Sequence, residues 1–264
     1  MTTAHDTHGG EGWQAGVRRR LGLGRLLPLG SAADGAWLAE RAAVEALRAA
    51  GWRETGGAAL LGRVRVGPSD EGGARDGDPD GAGGGAPAGG RAAGVDTGES
   101  PVAAALAVPP VPPSALPPGP LTIGAEFEAE QDEPLPALAE RLRGALLRCA
   151  RDTLGLPVTA VDLRVTGLRD GGAGAAAEPA TEKSGRVDPD GVPGVTDVPG
   201  VAGLTSILGR ALTRTPEGDV RVELATADGH RVLDVARAVR GSLARRRPEA
   251  RSVAVVVTET GVRP

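Results

Sequence analysis

The sequence contains no tyrosine and one phenylalanine, Phe127; three tryptophans complete its aromatic set. A core made from it must therefore be aliphatic, packed by Val, Leu and Ala. Asparagine is absent, and Lys183 is the only lysine in a chain rich in arginine. That skew fits the codon bias of a GC-rich genome, so arginine content by itself is no nucleic-acid signature. The net charge of −4 argues against a dominant phosphate-binding surface and leaves room only for a local basic patch. Cys149 stands alone, which excludes an intrachain disulfide and a multi-cysteine metal site. No run approaches the roughly 18 apolar residues that a membrane span needs. The opening MTTAHDTHGGEG has neither the basic nor the apolar segment of a secretory signal. The expected location is the cytoplasm. What the chain does have is 40% apolar residues over 264 positions, enough for a core in one or two domains.

Glycine and proline are plentiful and unevenly placed. Residues 68–120 hold twelve Gly and eleven Pro, first in a Gly/Asp-rich half and then as VPPVPPSALPPGP. Such a stretch buries too little apolar area to offset chain entropy, so it is expected to be disordered or extended polyproline. The remaining boundaries follow: a disordered tail over 1–12, N-terminal helices and the first strand of a unit over 13–67, the rest of that unit over 121–169, a flexible linker over 170–197 and a second unit over 198–264. Within 13–67, DGAWLAERAAVEALRAAG predicts a helix capped by Asp34, with Trp37, Val44 and Leu47 on one face and Gly51 ending it. AALLGRVRVG predicts a strand ending at Gly67. LTIGAEFEAE alternates, with Ile123, Ala125 and Phe127 inward. Asp132 is placed to cap a helix with Pro134 in its first turn, whose stripe is Leu135, Leu138, Ala139, Leu142, Leu146 and Cys149. VTAVDLRVTGL alternates Val161, Leu163 and Val165 as a further strand.

A shift of 97 residues superposes this pattern on a later one. Ile123, Ala125 and Phe127 fall on Val220, Val222 and Leu224, and Leu135, Leu138, Ala139, Leu142 and Leu146 fall on Val232, Val235, Ala236, Val239 and Leu243. Glu126, Ala139, Arg143, Gly144 and Leu146 are identical in the second copy. VDLRVT recurs as VAVVVT with five fewer residues before it, and LLGRV (Leu60–Val64) has a counterpart in ILGRA (Ile207–Ala211). The coincident order of strand, helix and strand marks an internal repeat. The fold class expected is α+β, with two repeated β-β-α-β units, two-layer sheet/helix packing and a long disordered Gly/Pro-rich insert. Arg143 and Gly144 recur as Arg240 and Gly241. A helical glycine costs about 1 kcal/mol against alanine, so close helix–sheet or helix–helix approach is expected there.

The run PLPALAERLRGALLRCARDTLGLPVTAVDLRVTGL resembles the C-terminal half of the alkaline-shock, or envelope stress response, proteins of Gram-positive bacteria. Leu135, Leu138, Ala139, Leu142 and Arg143 match that family's helix. Leu156, Val158, Val161, Leu163 and Val165 match its closing strand. VPGVAGL (Val198–Leu204) resembles the junction before the family's first strand, and Trp37–Ala50 its preceding helix. The family's Tyr-Gly before the helix is missing, its strand Asn is Asp162, and the second copy lacks the Thr-Gly-Leu turn. The resemblance covers at most two-thirds of the chain and implies a divergent two-copy relative from an actinobacterium. Such chains also carry a nucleopolyhedrovirus-type family name, but no residue here implies a viral role. The resemblance further implies a non-enzymatic protein that pairs with homologous envelope-stress-type proteins or itself, and that reaches the inner face of the membrane through a partner.

Candidate chemistry is thin. His5 and His8 flank Asp6 in an open terminus that fixes no metal geometry. His230 sits in a strand-to-helix turn with no nucleophile beside it. Cys149 continues an apolar stripe and reads as a buried, inert thiol. Glu126, Glu128, Glu130, Asp132 and Glu133 read as a solvated face that also favours a helix N-terminus. GLGR at Gly22–Arg25 and the glycines at 83–85 lack the strand and helix of a phosphate loop. No enzyme is expected, and no cofactor or metal. The candidate interaction residues are Arg18, Arg19, Arg20 and Arg25, set among leucines in Val17–Gly30, together with Arg143, Gly144, Arg240 and Gly241. The N-terminal group suits an anionic surface or a partner; packing of its leucines on the adjacent module, with the arginines left wet, is favoured. Arg245, Arg246 and Arg247 close the repeated helix, where cations favour the dipole. The leading expectation is a cytoplasmic interaction or scaffold protein. An RNA-binding α+β module competes but lacks stacking aromatics. An enzyme with an unrecognised site is the last alternative.

Overall fold

The computed structural model describes residues 22–69, 106–170 and 192–262. Its first part runs β1 (Leu26–Leu29), β2 (Ala36–Ala39), α1 (Glu40–Thr55), β3 (Ala59–Pro68), β4 (Leu121–Glu130), α2 (Leu135–Arg148) and β5 (Val158–Arg169). Its second runs β6 (Val201–Leu204), β7 (Leu212–Arg214), β8 (Asp219–Ala227), α3 (Val232–Arg246) and β9 (Ser252–Val262). This is an α+β fold with two sheets. The first has the order β3-β4-β5, with β3 antiparallel and β5 parallel to β4. The second has the order β1-β2-β9-β8-β6, with β7 also paired to β8.

The two β-β-α-β units agree beyond topology. Ile123↔Val161, Ala125↔Leu163 and Phe127↔Val165 pair across β4 and β5. Val220↔Val253, Val222↔Val255 and Leu224↔Val257 are their counterparts across β8 and β9. Both ladders then skip one residue of the closing strand, Thr166 in one unit and Thr258 in the other. Each bulged threonine turns its hydroxyl to the equivalent carbonyl: Thr166 Oγ1 to Phe127 O at 3.2 Å, and Thr258 Oγ1 to Leu224 O at 3.4 Å. The extra residue of a bulge disrupts the ladder locally, and the hydroxyl bonds a carbonyl at that break.

The strand facing β4 and β8 differs. Leu61↔Phe127 and Val64↔Ala125 correspond to Leu204↔Leu224 and Leu212↔Val222. Between those pairs the first unit has a two-residue irregularity, Gly62 and Arg63. The second has the seven-residue segment 205–211, which splits the strand into β6 and β7. ILGRA lies in that segment, so its likeness to LLGRV marks the same break, one residue out of register. The five additional residues of the first copy fall in a π-helical turn, Cys149–Leu154, which ends at Gly155 in the left-handed region, φ 84°.

Three expectations are corrected. The segment 26–39 is a strand hairpin in place of N-terminal helix. It pairs with β9 of the second unit, so residues 13–67 do not belong wholly to the first. Ala36-Trp37-Leu38-Ala39 is buried on both faces, and a short apolar run of this kind cannot be told from a helix by periodicity. The helix therefore begins at Glu40, and Asp34 instead bonds the Ser31 amide and hydroxyl at 2.7 and 2.9 Å. It also runs past Gly51 and ends at Gly56, φ 63°. At the second helix Asp132 makes no cap, and Pro134 is the residue preceding Leu135.

The insert is also partly ordered. Ser69 N donates to Pro120 O at 2.9 Å, which closes the β3–β4 hairpin around it. Residues 106–120 lie along β1 and β9: Leu116 N bonds Leu26 O at 2.8 Å, Ala107 N bonds Arg251 O at 3.1 Å, and Pro109 is buried. Proline has its φ set in advance, so ordering this half costs less chain entropy than its composition suggests. The expected tail over 1–12 and the expected disorder of 70–105 and 171–191 lie outside the described residues. Residues 192–197, placed in the linker, form turns around a fully buried Val195.

One contiguous aliphatic core joins the units, with α1 packed against α2, β3 and β9. The close approach expected at the repeated glycines is found elsewhere. A Cβ at Gly144 would meet only Arg148 Nη1 at 3.1 Å, and one at Gly241 only Arg245 Nη1 at 3.4 Å. Both atoms are the far ends of flexible side chains, that of Arg148 being paired with Glu54 at 2.8 Å. A Cβ at Gly51 would lie 2.9 Å from both Leu142 Cδ1 and Leu61 Cδ1, where α1 seats on α2 and β3. In urea unfolding, Gly51→Ala is expected to lose about 1–3 kcal/mol by overpacking. Gly144→Ala and Gly241→Ala are expected to gain up to about 1 kcal/mol from helix propensity.

Two ion pairs fasten the hairpin on either side. Asp34 receives Arg237 of α3 at 2.7 Å, and Glu40 receives Arg25 at 3.0 Å, whose Nη2 also reaches Val66 O of β3 at 2.6 Å. Burial opposes ionisation of both carboxylates. The hydrogen bonds from Arg237 and Ser31 to Asp34, and from Arg25 to Glu40, outweigh it and hold each below its ordinary value. A depressed carboxylate contributes stability that is complete above its unfolded value and is lost as pH falls through its folded value. The urea midpoint is therefore expected to fall on acidification below the ordinary values of 3.8 and 4.5. Asp34→Asn should flatten that dependence.

Candidate interaction surface

The repeated arginines act inside the fold. Arg143 Nε donates to Val161 O at 3.3 Å, and Arg240 Nε to Val253 O at 3.2 Å, the same carbonyl in each unit. Each latches its helix to the closing strand. Arg143 also pairs with Glu140. Arg240 goes further, to Ala33 O at 2.6 Å in the hairpin turn and Ala107 O at 3.5 Å. Burial pulls its guanidinium below the usual arginine value, partly offset by Asp34. Gly144 and Gly241 are half-buried beside these latches. Arg25 is tied to Glu40 and Val66, and Leu26 and Leu27 are buried, so this part of the basic segment packs on its own module. Arg18, Arg19 and Arg20 lie outside the described residues.

Two of the polar candidates, Cys149 and His230, line one cleft. A cleft of about 190 Å³ between α1, the π-helical turn and the β8–α3 turn is lined by Glu45, Arg53, Cys149, Asp228 and His230. Cys149 is buried there, with Sγ 3.6 Å from Ala46 O. Burial pushes its thiol up to about 11, with Arg53 pulling weakly the other way. A thiol held protonated is a poor nucleophile, and His230 is exposed in its turn. Among the described residues no group of three or more His, Cys, Asp or Glu is arranged to hold a metal. Among them too, no helix is long and apolar enough to cross a membrane.

The solvent face of the first sheet is charged in both signs. By register it carries Arg63, Arg65 and Arg164 alongside Glu126, Glu128 and Asp162. Alternation of this kind forms no continuous track for a phosphate backbone.

What sets the first sheet apart is its β5 edge. Arg151 and Arg143 occupy the carbonyls of Val158 and Val161 at its start. Beyond them β5 has β4 on one side and no strand on the other among the described residues. In the second unit β2 fills that position, with Gly35 O accepting from Val255 N at 2.9 Å and Ala36–Leu38 in parallel register. The difference shows in burial: Val257 is 0% exposed, while its counterpart Val165 is 41% and nearby Leu168 57% exposed. An unpaired strand edge is a template for another strand.

Sequence reasoning missed this edge, although a signal was present. VAVVVT is apolar throughout, as a strand buried on both faces should be, whereas VDLRVT alternates. No protein-family model, no curated protein and no solved structure matches this chain.

The thiol environment makes its own prediction. A shift from 9.0 to about 11 lowers the thiolate fraction about a hundredfold at pH 7.5. Alkylation of Cys149 by iodoacetamide should be slower than for the urea-unfolded chain by at least about that factor. Equal rates would contradict the burial described.

Proposed function

We propose that this chain is a non-catalytic interaction protein that assembles with itself or with a related protein through the open edge of its first sheet. The observation that carries the reading is the contrast between two equivalent edges, one closed by β2 and one left open at Leu163–Leu168 among the described residues. Val165 and Leu168 are two of the four large apolar side chains left exposed among the described residues. The resemblance of residues 134–168 to alkaline-shock proteins supports the same reading. It adds the expectation of homologous envelope-stress-type partners, a cytoplasmic setting and contact with the inner membrane face through such a partner. Mixed charge on the solvent face disfavours a nucleic acid as the partner.

The test is recovery of the full chain from its native cell, with partners identified by mass spectrometry and membrane fractions assayed beside it. Val165→Lys with Leu168→Lys places charge on the edge without touching the core. It is expected to abolish association while leaving the urea midpoint within about 0.5 kcal/mol of the parent. A chain that brings down no partner, enters no membrane fraction and does not self-associate would overturn the reading.

A further inference from the structure

We propose that the occupant of the β5 edge is the β5 edge of a second copy of this chain, paired antiparallel about a twofold axis at Leu163. The inference rests on the interaction reading above and names its partner. The chain supplies a covering strand for β9 through β2. For β5, its exact counterpart in topology, it supplies none among the described residues.

The register follows from the order of side chains along Val158–Arg169, VTAVDLRVTGLR. A twofold axis at Leu163 sets Asp162 opposite Arg164 of the other copy, and Arg164 opposite its Asp162. It also sets Val161 opposite Val165, so that the Val165 amide of the mate takes the Val161 carbonyl alongside Arg143 on its second lone pair, and it brings Ala160 to the bulged Thr166, where the pairing ends. Two opposite-charge pairs and two apolar pairs arise from one palindromic stretch, and directly opposed pairs are what stabilise neighbouring strands. Backbone direction agrees. The Val255 amide points to β2, so that of Leu163, its equivalent, points out of the open edge. Leu163 then exchanges both of its hydrogen bonds with its twofold mate.

The helix layer agrees as well. α2 connects β4 to β5 and packs on β5. Two such helices over a continuous β4-β5-β5-β4 sheet lie two strand spacings apart, about 10 Å, which is the normal helix-packing distance. A twofold contact closes on itself and gives a dimer in place of an open fibre. The result is one six-stranded sheet spanning two chains, with Val165 of each covered by Val161 of the other.

The experiment is sedimentation equilibrium of the purified full chain. Dimerisation is expected at micromolar concentration. Asp162→Arg alone and Arg164→Asp alone each bring like charges together twice across the axis. Each should weaken self-association about tenfold or more. Mixing the two singly substituted chains should restore it, because every charge again meets its opposite; the chain carrying both substitutions should dimerise like the parent. The mixing arm does not depend on how either variant folds alone, since restoration requires both to be folded. A parent chain that is monomeric at about 100 μM, or single substitutions without effect, would overturn the twofold pairing. If that monomer still binds a different protein through Val165 and Leu168, the interaction reading stands while this inference falls. If it binds nothing, both fall.

Discussion

The architecture hangs on the parallel pairing of β2 with β9. Three residue pairs, Ala36↔Val255, Trp37↔Val256 and Leu38↔Val257, join segments more than two hundred residues apart. That contact places β9 between β2 and β8, where both faces and both edges are covered. Because Glu40 follows Ala39 without a linker, the same contact delivers α1 to the junction of the two units. There Leu47 and Gly51 are buried, and Gly51 lets Leu142 and Leu61 come within contact distance. The Asp34–Arg237 and Arg25–Glu40 pairs secure the hairpin, but burial of an aliphatic sheet strand is the larger contribution.

A repeated unit used twice in one chain has met two different fates. In the second copy an apolar β9 accepts a strand, and the 205–211 segment folds back so that Leu208 N reaches the fully buried Glu223 at 2.9 Å. In the first copy Asp162 and Arg164 keep one face of β5 wet, and among the described residues no hairpin comes to its edge. The arginine latch serves both. On α3 it reaches beyond the strand to the hairpin turn, whereas on α2 it stops at Val161 and pairs with Glu140. One inherited side chain thus records which edge was closed.

Much of this was legible from residue order. The alternation of Ile123, Ala125 and Phe127, the stripe of α2 and the 97-residue echo in β8, α3 and β9 all followed from side-chain period, because each element has one clearly apolar face. What failed was local and had physical causes. Ala36–Ala39 is apolar on both faces, so it carries no period. Leu26–Leu29 sits beside arginines and fell within the stretch assigned to N-terminal helices. The proline-rich half of the insert has stiff, pre-set backbone, so Leu106, Ala115 and Leu116 pack where composition argued for disorder. The shared bulge at Thr166 and Thr258 leaves no mark on composition. Gly144 and Gly241 drew attention by recurring, yet the glycine that packing requires is Gly51, which has no helical counterpart among the described residues of the second unit.

The placement of β9 bears on how the chain is made. At 5–20 residues per second, roughly 10–40 s separate synthesis of β2 from that of its mate. During that interval the N-terminal hairpin and α1 are outside the ribosome with an apolar flank that nothing yet covers, and the first unit can close β3, β4, α2 and β5 on its own. Completion of the second sheet then falls to the last strand added. A nascent chain of this design is expected to lean on a chaperone, and the uncovered flank of the β1–β2 hairpin is the first such surface it presents.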